Sequence, residues 1–401
     1  MKKNTIAKHN ISILFWVQFF STMSFLQPVI TLFYMERGLS EKDILVVLMF
    51  WSVAVMLGEV PSGIFADRFG AKKSFLAGAL INIISYSLLF FAHSPGLFFL
   101  YSALNGLSVT FFSGADEALI YESLKESDEQ HLMDRAMGKI QSAGFISAMI
   151  AVLFGAYIAK DLKEGQFQLL IALGLVFYSV QLILLFWIKN PSSFTPYREN
   201  PFKQVTEGLK VIKEAPQLLY MFLNVTLVFI PASAVYENFN QPLFTHAGLP
   251  VYLIGIVYAV AAIIGYFASH SVGWLCDRFS RVLLMNITGI LAVVGLLLSA
   301  MYGETLWLVL GAFFVLKFVR AIRYPIYSQL SNDIIPSEVR ATTISLLSIL
   351  DSICDLVVFG IISAVALKGI SSIFVGCAIL ALIGTLLPIK MVKTRVKLEN
   401  N

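Results

Sequence analysis

Runs of mostly apolar residues, each closed by a short polar stretch, recur along the whole chain. About 20 helical residues cross the hydrocarbon core of a bilayer, so each run predicts one membrane-spanning helix. The runs lie near 11–34, 43–66, 73–93, 96–122, 136–160 and 166–189, and again near 215–241, 250–276, 281–302, 304–332, 339–367 and 370–392. One longer polar segment, 190–214, separates the two sets. The pattern therefore predicts an all-α polytopic membrane protein, with twelve transmembrane helices in two six-helix bundles, 1–189 and 215–401, joined by 190–214. In the joining segment Pro191, Pro196 and Pro201 break any continuous helix. Beyond them Phe202, Val205, Leu209 and Ile212 recur at helical spacing among Lys203, Lys210 and Lys213. That spacing fits an amphipathic helix on the inner leaflet; a plain flexible linker fits equally.

Composition agrees with lipid as the solvent. Of 401 residues, 58% are hydrophobic and 13% charged, with a mean hydropathy of +0.79; a soluble domain carries about a quarter charged residues. The net charge of +4 comes from basic residues scattered through short loops, which argues against a nucleic-acid partner. With the N-terminus inside, roughly 21 of the 29 basic residues fall in cytoplasmic segments and about five outside. Both termini are then expected in the cytoplasm of a cell bounded by this inner or plasma membrane. The first apolar run is too long for a signal-peptide core and lacks a small-residue cleavage site, so it is read as a retained helix. Cys276, Cys354 and Cys377 all lie in apolar runs and predict no disulfide framework. No phosphate-binding Walker loop, metal-ligand cluster or nucleophile–base pair stands out, so no cofactor, metal or enzymatic activity is expected.

Two loops repeat at half-length. Gly58 to Lys73 reads GEVPSGIFADRFGAKK, and Gly273 to Arg281 reads GWLCDRFSR. Gly63, Asp67, Arg68 and Phe69 thus recur as Gly273, Asp277, Arg278 and Phe279 at a constant offset, while Gly70 gives way to Ser280. Asp134-Arg135-Ala136 after the fourth helix is likewise echoed by Val339-Arg340-Ala341 after the tenth. Parallel repeats about an axis along the membrane normal are a known build for secondary transporters.

The G-x-x-x-D-R-F-G-x-K-K loop, its degenerate echo and the long middle segment resemble the major facilitator superfamily across essentially the whole chain. The resemblance implies the major facilitator fold, with helices one, four, seven and ten lining a central cavity. Polar residues of those helices follow suit: Gln18 and Gln27 on the first, Asn105 on the fourth, Asn224 and Glu237 on the seventh, and Lys317, Arg320 and Arg323 on the tenth. These are the expected substrate-cavity residues. The resemblance further implies a cytoplasmic gate built from Gly63, Asp67, Arg68, Gly70 and Lys72, with Asp277 and Arg278 as its weaker echo. In it Asp67 meets the start of helix eleven at Pro336, Ser337 and Glu338, and Glu122 completes a charge relay with Arg68 or Lys72. Ala71 departs from the family, which often has Arg there, so Lys72 must serve or the relay is weaker.

Membrane carboxyls are the candidates for proton coupling. They are Glu59 before Pro61, the adjacent pair Asp116 and Glu117 in the fourth helix, and Asp351 and Asp355 one turn apart in the eleventh. A carboxyl withdrawn from water holds its proton more readily, and intramembrane acids are functional candidates by default. The competing reading makes each a structural ion pair; Lys317, Arg320 and Arg323 would then hold Asp351 and Asp355. Asp116 and Glu117 point about 100° apart on a helix, so at most one faces the cavity. Glu59 to Asp67 also looks like the E-x-P-x5-D variant of some bacterial drug exporters, including a group of tetracycline exporters. The glycine-rich stretch with a Gly-Pro pair, frequent in helix five of drug antiporters, is absent: Gly138, Gly144 and Gly155 stand there without a proline.

The resulting expectation is a secondary transporter, working as a monomer in the bilayer, that uses protons to export a small amphipathic compound. Uptake of a nutrient or anionic metabolite is the first alternative, and a membrane sensor that does not transport is the second.

Overall fold

The computed structural model describes residues 5–191, 216–335 and 340–389, the side chains of 332–334 and 340–345 excepted. Most of the joining segment expected over 190–214, its amphipathic helix included, lies outside the described residues.

The described residues fold as twelve crossings. The first is broken, with α1 (Ile6–Ser21) and α2 (Ile30–Glu36) flanking a short turn at Gln27–Val29 that carries Pro28. Then follow α3 (Glu41–Phe69), α4 (Ala71–Leu88), the pair α5 (Pro95–Thr110) and α6 (Ala115–Glu126), α7 (Met133–Ile158) and α8 (Glu164–Leu185). The second half has α9 (Pro216–Phe229) and α10 (Tyr236–His246) as one interrupted crossing, then α11 (Val251–Arg278) and α12 (Arg281–Met301). It closes with α13 (Leu306–Ile334), α14 (Arg340–Ala366) and α15 (Ile370–Leu386). Among the described residues, eight helical stretches are long and apolar enough to cross a membrane, and Ile370–Leu386 is a shorter apolar helix. Helices are the natural answer for such a sequence, because each satisfies its own backbone where no water can.

Local signals set the ends. Ser40 caps α3 in a reciprocal capping box with Asp43, whose carboxylate accepts from the Ser40 amide and hydroxyl. Gly70, at φ +86°, is the single residue between α3 and α4. Only a residue without Cβ turns there at no steric cost.

The two halves pack alike. In the first, α3 lies on α5, α4 on α5 and α8, and α1 on α7 and α8. Six crossings later, α11 lies on α13, α12 on α13 and α15, and α9 on α15 and α14. Two large contacts join the halves, α3 with α14 and α7 with α11. The hydrogen bonds between the halves, among the described residues, lie at mid-depth or toward the end that carries the 36–41 and 246–251 turns. The Thr31 amide donates to Gln241 Oε1 at 2.9 Å, Gln241 Nε2 donates to the Gln27 carbonyl at 3.1 Å, and Ser52 Oγ donates to Asp355 Oδ2 at 3.2 Å.

Toward the opposite end, which carries Asp67 and Asp277, α7 and α11 part. Residues 255, 262, 266 and 269 form one stripe of α11. Gly255 is buried against α7, while Ala262, Tyr266 and Ser269 are exposed. On α7 the stripe behaves the same way: Val152 packs at the joint, and Phe145, two turns away, is 76% exposed. Among the described residues a cleft therefore opens between α7 and α11 at the end that bears the repeated loops.

Gly255 makes the closed joint. A Cβ there would collide with the Val152 carbonyl oxygen and lie 3.0 Å from Leu153 Cα, whereas one at Gly265 meets nothing within 4 Å. Gly255→Val is expected to destabilise the protein by about 1–3 kcal/mol through overpacking. Its unfolding midpoint in detergent should fall by several degrees, while that of Gly265→Val should stay close to the parent's.

Candidate functional site

The seventh crossing loses its regular hydrogen bonding at Ile230–Val235, one turn of π-helix between α9 and α10. Pro231 supplies no backbone N–H, and such π segments sit frequently at functional sites. This turn and the residues after it present Ser233 and Glu237 to α13. There Lys317 and Arg320, three residues apart, share one helix face. Glu237 Oε1 accepts from Lys317 Nζ at 2.7 Å, from Arg320 Nη1 at 2.5 Å and from Ser233 Oγ at 3.4 Å. One carboxylate oxygen thus serves two cations, leaving one positive charge in excess. The three charged side chains keep 36%, 26% and 47% of their surface, so the cluster lines open space rather than core. Aromatic faces complete it: Lys317 Nζ lies 5.4 Å from the Phe313 ring centre and Arg320 Cζ 5.4 Å from that of Phe229. A recess between α9 and α13, lined by Phe229, Ala232, Ser233, Leu316, Arg320 and Arg323 among others, continues from the cluster.

The third cation has a different role. Arg323 is buried at 3% exposure. It donates to the Met285 carbonyl at 2.5 Å, the Asn224 carbonyl at 2.9 Å and Asn224 Oδ1, with Thr288 Oγ1 at 3.4 Å. Asn224 in turn donates to the Leu387 carbonyl at 2.9 Å. Arg323 and Asn224, both expected in the cavity, instead tie crossings seven, nine, ten and twelve together. A helical wheel carries the reason: residue 323 is rotated about 120° from residue 317.

The cations of α13 do not hold the acids of α14. Asp351 Oδ1 accepts from Thr226 Oγ1 at 3.1 Å and Asp355 Oδ2 from Ser52 Oγ at 3.2 Å. The structural-pair reading of these two acids is therefore corrected, because Glu237 already occupies Lys317 and Arg320. In the first half, Glu59 lies near Ser113. The fourth crossing breaks between α5 and α6, where Gly114 has φ +69°. Asp116, just after the break, accepts the Glu117 amide at 2.8 Å within the first turn of α6, where an anion suits the helix dipole. Glu117 is exposed. Asn105 is held inside its bundle, donating to Asn82 Oδ1 at 3.0 Å and accepting from Trp51 Nε1 at 3.2 Å. Gln18 packs where a Cβ on Gly144 would lie 3.0 Å from its Nε2, and Gln27 contributes its carbonyl to Gln241.

Of the residues expected to form a gate, three basic ones have the following contacts. Arg68 stacks on Phe69, Lys72 Nζ donates to the Phe186 carbonyl at 2.6 Å, and Arg278 lies over Trp274. Glu122 is 3.9 Å from Lys125, one turn on. A Cβ on Gly63 would meet nothing, so the close approach expected of that glycine is not made in this open arrangement. Pro336, Ser337 and Glu338, the expected partners of Asp67, lie outside the described residues. Among the described residues no group of His, Cys, Asp and Glu is arranged to hold a metal, and the three cysteines are free.

One ion pair escaped the reading of the sequence altogether. Arg37 grips Glu164 through two nitrogens, at 3.0 and 2.6 Å, and donates to the Ala92 carbonyl at 2.7 Å. It ties three turns of the first half together at the closed end. Loop residues far apart in sequence gave no spacing signal for it.

Known proteins place the chain. Residues 11–358 match the family model described as Major Facilitator Superfamily. An uncharacterized MFS-type transporter, YxaM, of Bacillus subtilis is 26% identical over 84% of both chains. The multidrug resistance protein MdtH of Salmonella arizonae is 28% identical over 36% of this chain and 35% of its own. Among solved structures, the nucleoside transporter NupG superposes with a TM-score of 0.75 at 16% identity, covering 95% of this chain and 97% of that one. A D-xylose–proton symporter gives 0.72 at 14%, covering 96% and 98%.

The two arginines of α13 should separate in stability. Arg323→Met leaves the carbonyls of Met285 and Asn224 without their donor, at about 1–3 kcal/mol for a buried group. Thermal unfolding in detergent is expected to drop clearly for Arg323→Met and to stay near the parent for Arg320→Met, whose side chain is half exposed.

Proposed function

The chain belongs to the major facilitator superfamily, and from that premise we propose that it is a proton-coupled secondary transporter of a small amphipathic compound, working by alternating access. The Glu237–Lys317–Arg320 cluster carries this reading. Its carboxylate links crossing seven, at its π-helical break, to crossing ten. A proton on Glu237 cancels the charge that draws both cations, so proton occupancy changes how the two crossings hold each other. Alternating access would change the water around the same carboxyl, and with it the ease of loading and losing that proton. Glu237 thus heads the coupling candidates. Glu59, Asp116, Glu117, Asp351 and Asp355 follow; Asp355 bonds across the two halves and so reports their separation.

With the termini inside, the cleft opens to the cytoplasm and the closed joint faces outward. Asp67 would then return to the start of helix eleven when the cleft shuts, as an anion at a helix N-terminus. Export is supported by the Glu59–Asp67 stretch and by the partial likeness to MdtH. Uptake of an anionic metabolite is the second reading, favoured by two cations over a single acid.

Vesicle assays test the coupling. Glu237→Gln is expected to abolish accumulation driven by a pH gradient yet keep substrate exchange without a gradient. If Glu237→Gln keeps full gradient-driven transport, or if the parent follows sodium instead of protons, the coupling proposal fails. Asp67→Asn is expected to remove transport while leaving the protein in the membrane. The lost term is at most about 2 kcal/mol, enough to unbalance states a few kcal/mol apart. Asp277→Asn should cost less, and equal losses in the two variants would argue against an asymmetric gate.

A further inference from the structure

The charges around Glu237 do not balance. Lys317 and Arg320 both converge on its Oε1, so one negative charge answers two positive ones. Arg323, behind Arg320 in the same recess, adds a third positive charge whose partners are all neutral: two carbonyls, an amide oxygen and a hydroxyl. Its Nε, fully buried, has no partner at all. The acids of α14 do not fill the deficit by contact, since Asp351 and Asp355 are engaged by Thr226 and Ser52. From α11 the titratable group beside Glu237 is Tyr258, whose hydroxyl donates to Asn240 at 2.6 Å. The walls are apolar and aromatic, with Phe229, Val228, Leu316 and Phe313 next to the charged heads.

We infer that the transported compound is a small organic anion with an apolar or aromatic body, and that its carboxylate or equivalent head replaces the Glu237 carboxylate on Lys317 and Arg320. This rests on the transport reading above and decides between its two directions. Replacement requires Glu237 to be neutral, because two carboxylates on the same pair of cations repel each other. Binding is then written with its charge balanced. A proton adds to Glu237 Oε1 or Oε2, the two charge-assisted hydrogen bonds to the cations are given up, and the anion accepts them. Proton and anion occupy the cleft together and move in the same direction, so an inward proton gradient drives uptake. By linkage, each anion bound brings one proton with it, and binding tightens as the pH falls.

The test uses purified full-length protein and three flat probes of matched shape: benzoate, benzamide and benzamidine, extended on the anionic side by salicylate and phenylacetate. Binding is read as protection against thermal unfolding between pH 5 and 8. The anions are expected to protect, with an apparent affinity that rises up to about tenfold per unit fall in pH where Glu237 is ionised in the free protein. Benzamide and benzamidine should not protect. In Glu237→Gln, whose neutral amide stands for the protonated acid, anion binding should persist and lose its pH dependence; Arg320→Gln should lose it. The pH dependence of the parent needs no variant to fold. Protection by benzamidine alone, no protection by any of the anions, or anion binding that strengthens as the pH rises would overturn the assignment. If a neutral or cationic compound were then carried by the proton gradient in vesicles, transport would stand and the anion would fall. If gradient-driven movement were absent for every probe that binds, the transport reading itself would fall.

Discussion

A backbone amide inside hydrocarbon has no water to bond, and every other feature of this protein is arranged within that limit. Long helices satisfy it crossing by crossing. Where a crossing breaks, as at Gln27–Val29, between α5 and α6, and at Ile230–Val235, the freed groups must be met by neighbours or by a wet cleft. Two of these breaks bear on chemistry. The π turn at Pro231 places Ser233 and Glu237 against α13, and the Gly114 break puts Asp116 at the start of α6. The first break lies on Pro28 and hands its Gln27 carbonyl to Gln241 of the other half.

The same limit governs how charge is carried. A lone ion in the membrane is costly, so each described cation of α13 has found a partner, and the kind of partner separates their roles. Lys317 and Arg320 rest on an acid that can be neutralised by a proton. Arg323 rests on carbonyls and an amide, which cannot. The first pair faces open space, while Arg323 is a brace among four crossings. The contrast arises within a seven-residue stretch of one helix.

The half-repeat gives the molecule two halves of like packing, and the α7–α11 side of their joint is closed at one end and open at the other. Gly255 and Gln241 hold the closed end, and the stripe from Gly255 to Ser269 opens steadily toward the repeated loops. Arg68 and Arg278 lie over neighbouring ring faces, and Lys72 donates to the Phe186 carbonyl at the end of another crossing of its own half.

Much of this was legible in the chain itself. The number and order of crossings, the halves and the repeated D-R-F loops follow from residue types counted along the sequence, because transfer to lipid is close to a sum over neighbouring residues. The polar character of crossings seven and ten was equally plain from Glu237, Lys317 and Arg320. Which acid meets which cation was not. Asp351 and Asp355 offered as good a match as Glu237, and the choice turned on helix rotation and on a π turn that shifts everything beyond Pro231 around the axis. Nothing in the sequence separates Arg323 and Asn224 from cavity residues, since their direction depends on how α9, α12 and α13 pack. Local sequence determined what crosses the membrane; only the packed bundle decided which side chains, 80 residues apart, come within 3 Å, because an ion pair forms by distance and sequence separation carries none.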